Sequence, residues 1–525
     1  MGGETFYVTT PIYYPSNKLH IGNAYCTVAT DVMARYKRML GFDVMFLTGT
    51  DEHGMKIENN AKAAGVTPKQ FVDNIVEGDG GILDLWKAMN ISYDRFIRTT
   101  DGYHESAIQK IFKALYDRDE IYKGVYKGLY CVHCESFWTE TQLIDGKCPD
   151  CGREVHEEEE EAYFFRLSNY GERLTKLLDS GFLEPRSRVN EMIKNFIEPG
   201  LEDLCVSRTT FTWGIPVDFD PGHVVYVWVD ALFNYMTALG FENGHYDDMR
   251  FWPCDVHIVG KEIVRFHSII WPAFLMALDL PLPKKVFGHG WLIFDGVKIS
   301  KSRASKGSVI DPLVLVPRYG ADALRYYLMR TFPFGADGDF TNELLITRIN
   351  TDLANDLGNL VSRTVAMAIK YFGGAIPKTR LPGEYDKDII TMAVNIPWQY
   401  EARMDRLDFH HALIDVGRLT SRANKYIDET LPWDLAKDPE NLPRLAGVLY
   451  NLLETVRMLA IMLSPFMPDS SRKMLDQLDV PADQRDWESA KRFGVSEYPN
   501  ITRGEPLFPR IDAARELEEL MAMTE

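Results

Sequence analysis

Apolar and polar positions follow two rhythms along this chain, and the rhythm changes near residue 350. Close to the N-terminus, residues 6–10 (FYVTT) read as a strand ended by Pro11. After Gly22 the apolar positions Ala24, Val28, Val32 and Tyr36, then Met39 and Leu40, recur at helical spacing, and Gly41 is placed to end the helix. Residues 43–48 (DVMFLT) give a second strand signal, which runs into the polar loop GTDEHG at 49–54. Strand, helix and strand at this spacing predict a βαβ unit, hence a parallel sheet. The theme returns with a strand at 255–259 (DVHIV), a helix over 261–278 with Pro272 inside it, and a strand at 285–287 before Gly288-His289-Gly290. An insertion of about a hundred residues therefore splits the sheet.

From about Asn350 helical periodicity dominates, first through Leu353, Leu357, Leu360, Val361 and Thr364, later through Leu449, Leu452, Leu453, Val456 and Leu459. Strand signals nearly vanish, and Pro377, Pro432 and Pro465 mark helix boundaries. The expected fold class is α/β: a parallel-sheet Rossmann-type domain split by an insertion, followed by an α-helical domain. The expected division is 1–115 and 223–290 for the two halves of the sheet domain, 116–222 for the insertion, 291–349 for a loop and stem-contact region, and 350–525 for the helices.

Composition changes this picture little. The 525 residues give room for two to four domains, and 46% hydrophobic with 26% charged residues is ordinary for a globular protein. No run of about 18 apolar residues is evident, so no membrane span is expected. MGGETFYVTT lacks the basic and apolar regions of a signal peptide, which makes a cytoplasmic location the expectation. The net charge of −18 excludes a non-specific nucleic-acid coat but not an RNA held by local basic patches. The run Glu157 to Glu161 reads as a solvated loop.

The cysteines change more. Four of the seven fall in two C-x-x-C pairs, Cys131 with Cys134 and Cys148 with Cys151, separated by thirteen residues. Each pair can wrap one side of a tetrahedral ion, and four thiolates leave no open position, so the expected site is structural zinc. An odd count clustered in this way points to a reduced compartment rather than a disulfide framework.

Two motifs carry the chemistry. His20-Ile21-Gly22-Asn23 sits where a strand gives way to a helix, the place where helix N-termini offer backbone N–H groups to phosphate. Alone, these residues fit equally a plain turn with Asn23 as a helix cap. Lys298-Ile299-Ser300-Lys301-Ser302 lies on a glycine-flanked polar loop, suited to closing over a polyphosphate and neutralising charge in a transition state. Together they resemble the HIGH and KMSKS signatures of the class I aminoacyl-tRNA synthetases. TTPIYYPSNKLHIG, LTGTDEHG, YVWVDALFNY, GKEIVRFHSIIWPAFL, GHGWLIFDGVKISKS, ANDLGNLVSR and LPWDLAKD are similar to the methionyl branch of that family across nearly the whole chain.

The resemblance implies a methionine–tRNA ligase that forms methionyl-adenylate from methionine and ATP, releases pyrophosphate, and charges tRNA(Met), initiator tRNA included. It implies Mg2+ with ATP and a zinc-binding insertion. His20 and Asn23 would face the phosphates and Lys298 and Lys301 the pyrophosphate, with Gly22, Gly260, Glu262, Gly288, His289 and Ser300 also at the nucleotide. Glu262 stands where Asp is common. Ile12, Tyr14, Trp228, Ala231, Tyr235, Ile263 and His267 would line the methionine pocket, with Asp51 near the ammonium. An aromatic slot suits methionine, whose sulfur gains roughly 0.3–1.5 kcal/mol against a ring. Asn359, Arg363 and Trp433 would read the anticodon of a single-stranded loop. The chain's end at Glu525 leaves no extra dimerising domain, so a monomer is expected. A ligase for another amino acid, a tRNA-independent nucleotidyltransferase and a non-catalytic RNA-binding relative are the competing readings. The lack of room for a large editing insertion, the tRNA-type segments ANDLGNLVSR and LPWDLAKD, and the two lysines of KISKS, respectively, speak against them.

Overall fold

A computed structural model of the chain describes residues 3–134, 136–138, 140–294, 297–298 and 309–523. Its contacts form two compact units. The first is Met1–Leu19, Asp43–Lys87 and Ile91–Gly290, and the second is His20–Phe42, Ala88–Asn90 and Trp291–Glu525.

The first unit is built on six parallel strands: β1 (Thr5–Thr9), β2 (Asp43–Thr50), β3 (Arg95–Arg98), β4 (Leu183–Glu184), β5 (Val256–Gly260) and β6 (Val286–His289). They lie in the order β3-β2-β1-β5-β6-β4. β5 and β6 are buried along their whole length, and β2 beyond its first residue, which is why they read as continuous apolar runs and not as alternations. Strand order reverses at β1. In open parallel sheets ligands bind at such a switch, beyond the carboxyl ends of the strands.

The insertion carries its own antiparallel sheet, in which Ile121–Cys131 pairs with His156–Phe165 from Ile121 opposite Phe165 to Tyr130 opposite His156. This corrects the reading of Glu157 to Glu161 as a loop: all five lie on the second of these strands. Glu157, Glu159 and Glu161 are exposed, and Lys123 on the facing strand pairs with Glu161 at 2.7 Å. A charge run is compatible with a strand when one face meets water and the partner supplies the backbone bonds.

The segment expected as one helix over 261–278 is also different. A 3₁₀ turn at Lys261–Ile263 is followed by a π turn at Phe266–Ile270, and the α-helix proper is Trp271–Ala277. Pro272 stands in the first turn of that helix, where it needs no N–H. It offers no donor to the carbonyl four residues back, and the wider π turn resets the hydrogen-bond register ahead of it.

The second unit is mainly helical, with a small sheet of Leu292–Phe294, Val297–Lys298 and Gly338–Asp339. Helix α1 (Ile21–Met39) belongs to it, as do Ala321–Arg330, Asn359–Phe372, Asp386–Met404, Phe409–Thr430 and Leu442–Leu463. Among the described residues no strand follows 349, as the periodicity predicts. Residues 439–463 are long and apolar enough to cross a membrane by length and composition alone, yet 94% of their 18-residue apolar stretch is buried inside the protein. Two charges within it have partners there. Glu454 accepts from Arg457, from the Tyr498 hydroxyl and from the backbone N–H groups of Gly494 and Val495, so this is a core helix.

Candidate active site and metal centre

The turn at His20 is a reciprocal cap on α1. His20 is the N-cap, and its Nδ1 accepts from the Gly22 N–H at 3.0 Å. Asn23 Oδ1 accepts in turn from the His20 N–H at 3.1 Å. The first bond fixes the tautomer: a lone pair sits on Nδ1, so the neutral ring carries its proton on Nε2 and is a donor there. The second commits the amide oxygen of Asn23 and makes its NH2 the donating end. Gly22 is required by close approach, since a Cβ there would lie 2.9 Å from His20 Cε1.

Lys298 ends the short strand Val297–Lys298, while Ser300, Lys301 and Ser302 lie outside the described residues.

In the first unit the sheet gathers its site residues at the carboxyl ends of the strands. The chain leaving β1 pairs again at Tyr13: its N–H donates to Gly49 O at 2.9 Å, and its carbonyl accepts from the Asp51 N–H at 3.0 Å. Ile12, Tyr14 and Asp51 are set by this bridge. Gly260 closes β5, and the Glu262 carboxylate on the following turn folds back against it. Gly288 lies in β6, where a Cβ would meet Val264 Cγ2 at 2.6 Å; His289 next to it bonds Gly290 O through Nδ1.

Trp228, Ala231 and Tyr235 stand on helix α2 (Val227–Thr237), and the Trp228 and Tyr235 rings lie near His267, with centroids 6.5 and 5.7 Å away. His267 Nδ1 lies 3.0 Å from Ile263 O, which can only accept, so Nδ1 carries the proton. Nε2 is left to accept from the Tyr235 hydroxyl at 2.8 Å. Burial pushes the His267 imidazole down to about 4, opposed in part by that carbonyl, and keeps it neutral at pH 7. Trp228 stacks face to face on Phe266, with ring centroids 3.6 Å apart and an interplanar angle of 5°. The wall is therefore a rigid aromatic surface with its one hydroxyl proton directed at His267.

Phe266 is a residue that the sequence reading missed. Its signal was adjacency to His267 on an apolar helical stretch, hidden because the π turn changes which neighbours share a face. The Arg265 guanidinium beside it lies 4.5 Å from the Phe266 ring and 4.0 Å from the Trp138 ring, whose side chain packs against Cys131 and Cys148.

The four cysteines converge as expected. Cys131 and Cys151 sulfurs are 3.5 Å apart, Cys134 and Cys148 3.8 Å, and all four lie within 4.8 Å of one another as free thiols. A tetrahedral Zn–S bond of about 2.3 Å requires S···S edges of about 3.8 Å, so the donor set fits zinc. With four thiolate ligands the ion has no open position and supplies structure, not catalysis. Cys148→Ala is expected to reduce bound zinc from about one equivalent to well under half and to expose 121–165 to protease, read by metal analysis and limited proteolysis. Unchanged metal content would refute the four-thiolate site.

Asn359 and Arg363 share a face of the helix Asn359–Phe372, with Asn359 exposed and Arg363 paired to Asp428 at 3.3 Å. Trp433 follows Pro432 on a one-turn helix and is 40% exposed, a ring surface left to water.

A family model for class I tRNA synthetases of the methionyl type matches residues 6–159 and 151–365, and one for the anticodon binding domain of methionyl tRNA ligase matches 376–518. The chain is 61% identical to the methionine–tRNA ligase of Caldanaerobacter subterraneus subsp. tengcongensis, over 99% of this chain and 81% of that one. It is 58% identical to the Clostridium perfringens enzyme, over 99% and 80%. Among solved structures, Mycobacterium tuberculosis methionyl-tRNA synthetase in complex with methionyl-adenylate superposes with a TM-score of 0.91 at 40% identity, covering 97% of this chain and all of that one.

Proposed function

Since the chain belongs to the methionyl family of class I tRNA synthetases, and so activates methionine with ATP and charges tRNA with it, we propose that His20 and Asn23 hold the ATP phosphates while Lys298 and Lys301 meet the leaving pyrophosphate. A carboxylate oxygen of methionine attacks the α-phosphorus, the α–β bond breaks, and pyrophosphate departs. A hydroxyl of the terminal ribose of tRNA then attacks the adenylate carbonyl and AMP leaves. Neither step needs covalent help from the protein, so positioning and charge stabilisation carry the rate. The observation that supports this assignment is the bond from Gly22 N–H to His20 Nδ1, which makes the imidazole a neutral donor at a helix N-terminus.

Gly22, Gly260, Glu262, Gly288, His289 and Ser300 complete the nucleotide site in this reading, and Mg2+ accompanies the phosphates. Asp51 takes the methionine ammonium, and Ile12, Tyr14, Trp228, Ala231, Tyr235, Ile263 and His267 take the side chain. Asn359 and Arg363 bond anticodon edges and Trp433 stacks on a base, for elongator and initiator tRNA alike. The site of action is the cytoplasm, where translation substrates are.

Amino-acid-dependent ATP–pyrophosphate exchange tests the reading directly. Methionine is expected to support strong exchange without tRNA, and exchange with leucine but not methionine would overturn the specificity. Tyr235→Phe removes the proton that satisfies His267 Nε2 and leaves a buried acceptor without its partner. It is expected to narrow the methionine-to-leucine ratio of kcat/KM by on the order of 10-fold, or about 1–2 kcal/mol. The same imidazole gives a pH signature. Between about pH 6.5 and 4 the unfolded chain binds its proton and the folded chain does not, so stability contributed by His267 is full above 6.5 and falls as pH drops toward 4. A His267→Gln variant is expected to lose that part of the slope in thermal melts.

A further inference from the structure

Beneath the methionine-side wall lies a charged bridge that none of the proposed substrate contacts uses. Asp230, 1% exposed, sits in the otherwise apolar VWVDALFNY of α2. Its Oδ2 lies 2.7 Å from His53 Nδ1 and its Oδ1 2.6 Å from His104 Nε2. His104, wholly buried, reaches Thr237 Oγ1 on the same helix with its other nitrogen at 2.7 Å. His53 Nε2 faces Glu105 at 3.5 Å, and the ring leans on Trp213 with centroids 5.4 Å apart. Burial opposes a charge on His53, but Asp230 and then Glu105 overcome it and push the imidazole up to about 10. At pH 7 the His53–Asp230 pair is therefore an imidazolium and a carboxylate.

Its position in the chain matters. Asp51 lies two residues before His53, and Trp228, Ala231 and Tyr235 lie two before, one after and five after Asp230. The loop between is held on its other sides as well. Glu52 is fully buried and accepts from Arg98 Nε at 2.6 Å, from the Thr50 hydroxyl at 2.6 Å and from the Thr100 hydroxyl at 2.5 Å. Trp213 Nε1 donates to Glu52 O at 2.6 Å, and the Gly54 N–H donates to Trp213 O at 2.9 Å. Loop and helix each carry one end of the amino-acid site, and the bridge is the charged tie between them.

We propose that His53, Asp230 and His104 are positioning residues that fix the spacing between the ammonium contact at Asp51 and the side-chain slot on α2, so that one amino-acid length fits both. This rests on the assignment of Asp51 and of the slot made above. The spacing is read by a ligand that spans it, and a charged, doubly hydrogen-bonded carboxylate holds it more stiffly than an apolar contact would. Methionine is the probe that touches both ends; its analogue without the amino group touches only the slot.

The test uses the full chain and four variants, Asp51→Asn, His53→Gln, His104→Gln and Asp230→Asn, in ATP–pyrophosphate exchange and in competition by the desamino analogue. His53→Gln and Asp230→Asn are expected to raise KM for methionine by about 10-fold with KM for ATP changed less than twofold, and to leave inhibition by the desamino analogue within about twofold. His104→Gln, which leaves the His53–Asp230 contact between loop and helix in place, is expected to have a smaller effect in the same direction. Equal weakening of methionine, ATP and the analogue would show a merely structural role and overturn the proposal. If Asp51→Asn raises KM for methionine while His53→Gln and Asp230→Asn do not, the bridge is refuted and the ammonium assignment stands. If Asp51→Asn itself leaves that KM unchanged, the ammonium assignment fails and the proposal with it. Should Asp230→Asn not fold, His53→Gln and His104→Gln decide the matter.

Discussion

His20→Ala is expected to lower the rate of methionyl-adenylate formation by about 10²–10³-fold, the cost of removing one preorganised donor from a developing phosphoryl transition state. The effect should fall on kcat in pyrophosphate exchange more than on the KM for ATP, because the contact strengthens as charge builds on the phosphate oxygens. Loss of the N-cap destabilises α1 by about 1 kcal/mol and is seen separately in a melt. Asn23 refines the test. Its oxygen is already bonded to the His20 N–H, so Asn23→Ala loosens the turn and removes a donor at once. A smaller fall in adenylation than for His20→Ala is expected. An unchanged rate would make Asn23 a cap alone, and an unchanged rate for His20→Ala would remove the turn from catalysis. Because an amide cannot carry the charge of an imidazolium, activity between pH 6 and 8 should show no titration from position 23.

Asp31→Ala is expected to be the most damaging single substitution to the stability of the helical unit. Asp31 and Arg325 are both fully buried, and Oδ2 of the carboxylate lies 2.6 Å from the guanidinium and 2.7 Å from Arg35 Nε. The remaining Arg325 donors meet backbone carbonyls, Phe466 O at 2.8 Å, Pro465 O at 2.9 Å and Met89 O at 3.2 Å. Truncating the carboxylate leaves a charge in the interior with dipoles and the field of Asp322 but without its hydrogen-bonded counterion. About 3–5 kcal/mol is the usual cost, which lowers the Tm of this unit's transition by on the order of 10 °C. Asp31→Asn keeps an acceptor and should lose less. A change under about 1 kcal/mol for Asp31→Ala would mean that the carbonyls alone satisfy Arg325.

Local chemistry explains what could be read in advance. Strands β2, β5 and β6 of the main sheet are buried on both faces, so their apolar runs stand out without any knowledge of partners. The two C-x-x-C pairs and the turn at His20 are close in sequence because the geometry they serve is a few ångströms across. Exposure in the helical region follows the period as well, with Leu353, Leu357 and Leu360 buried and Asn359 at the surface.

Tertiary structure decided the rest, wherever a residue's meaning depends on a partner far along the chain. Asp230 is an anomaly in an apolar helix until His53 and His104, 177 and 126 positions away, are seen to enclose it. Asp31 looks like one more polar position on α1 until Arg325 arrives from 294 positions away. Phe266 became part of a wall only through the π turn that Pro272 calls for, and the glutamate run became a strand because residues 121–131 supply its hydrogen bonds. The sequence by itself determined the family, the parallel sheet, the thiolate cluster and the turn at His20, because each is written in local spacing. The fold alone determined which buried charges are neutralised and how the aromatic wall is held, because a charge leaves water only where the whole chain brings it a counterpart.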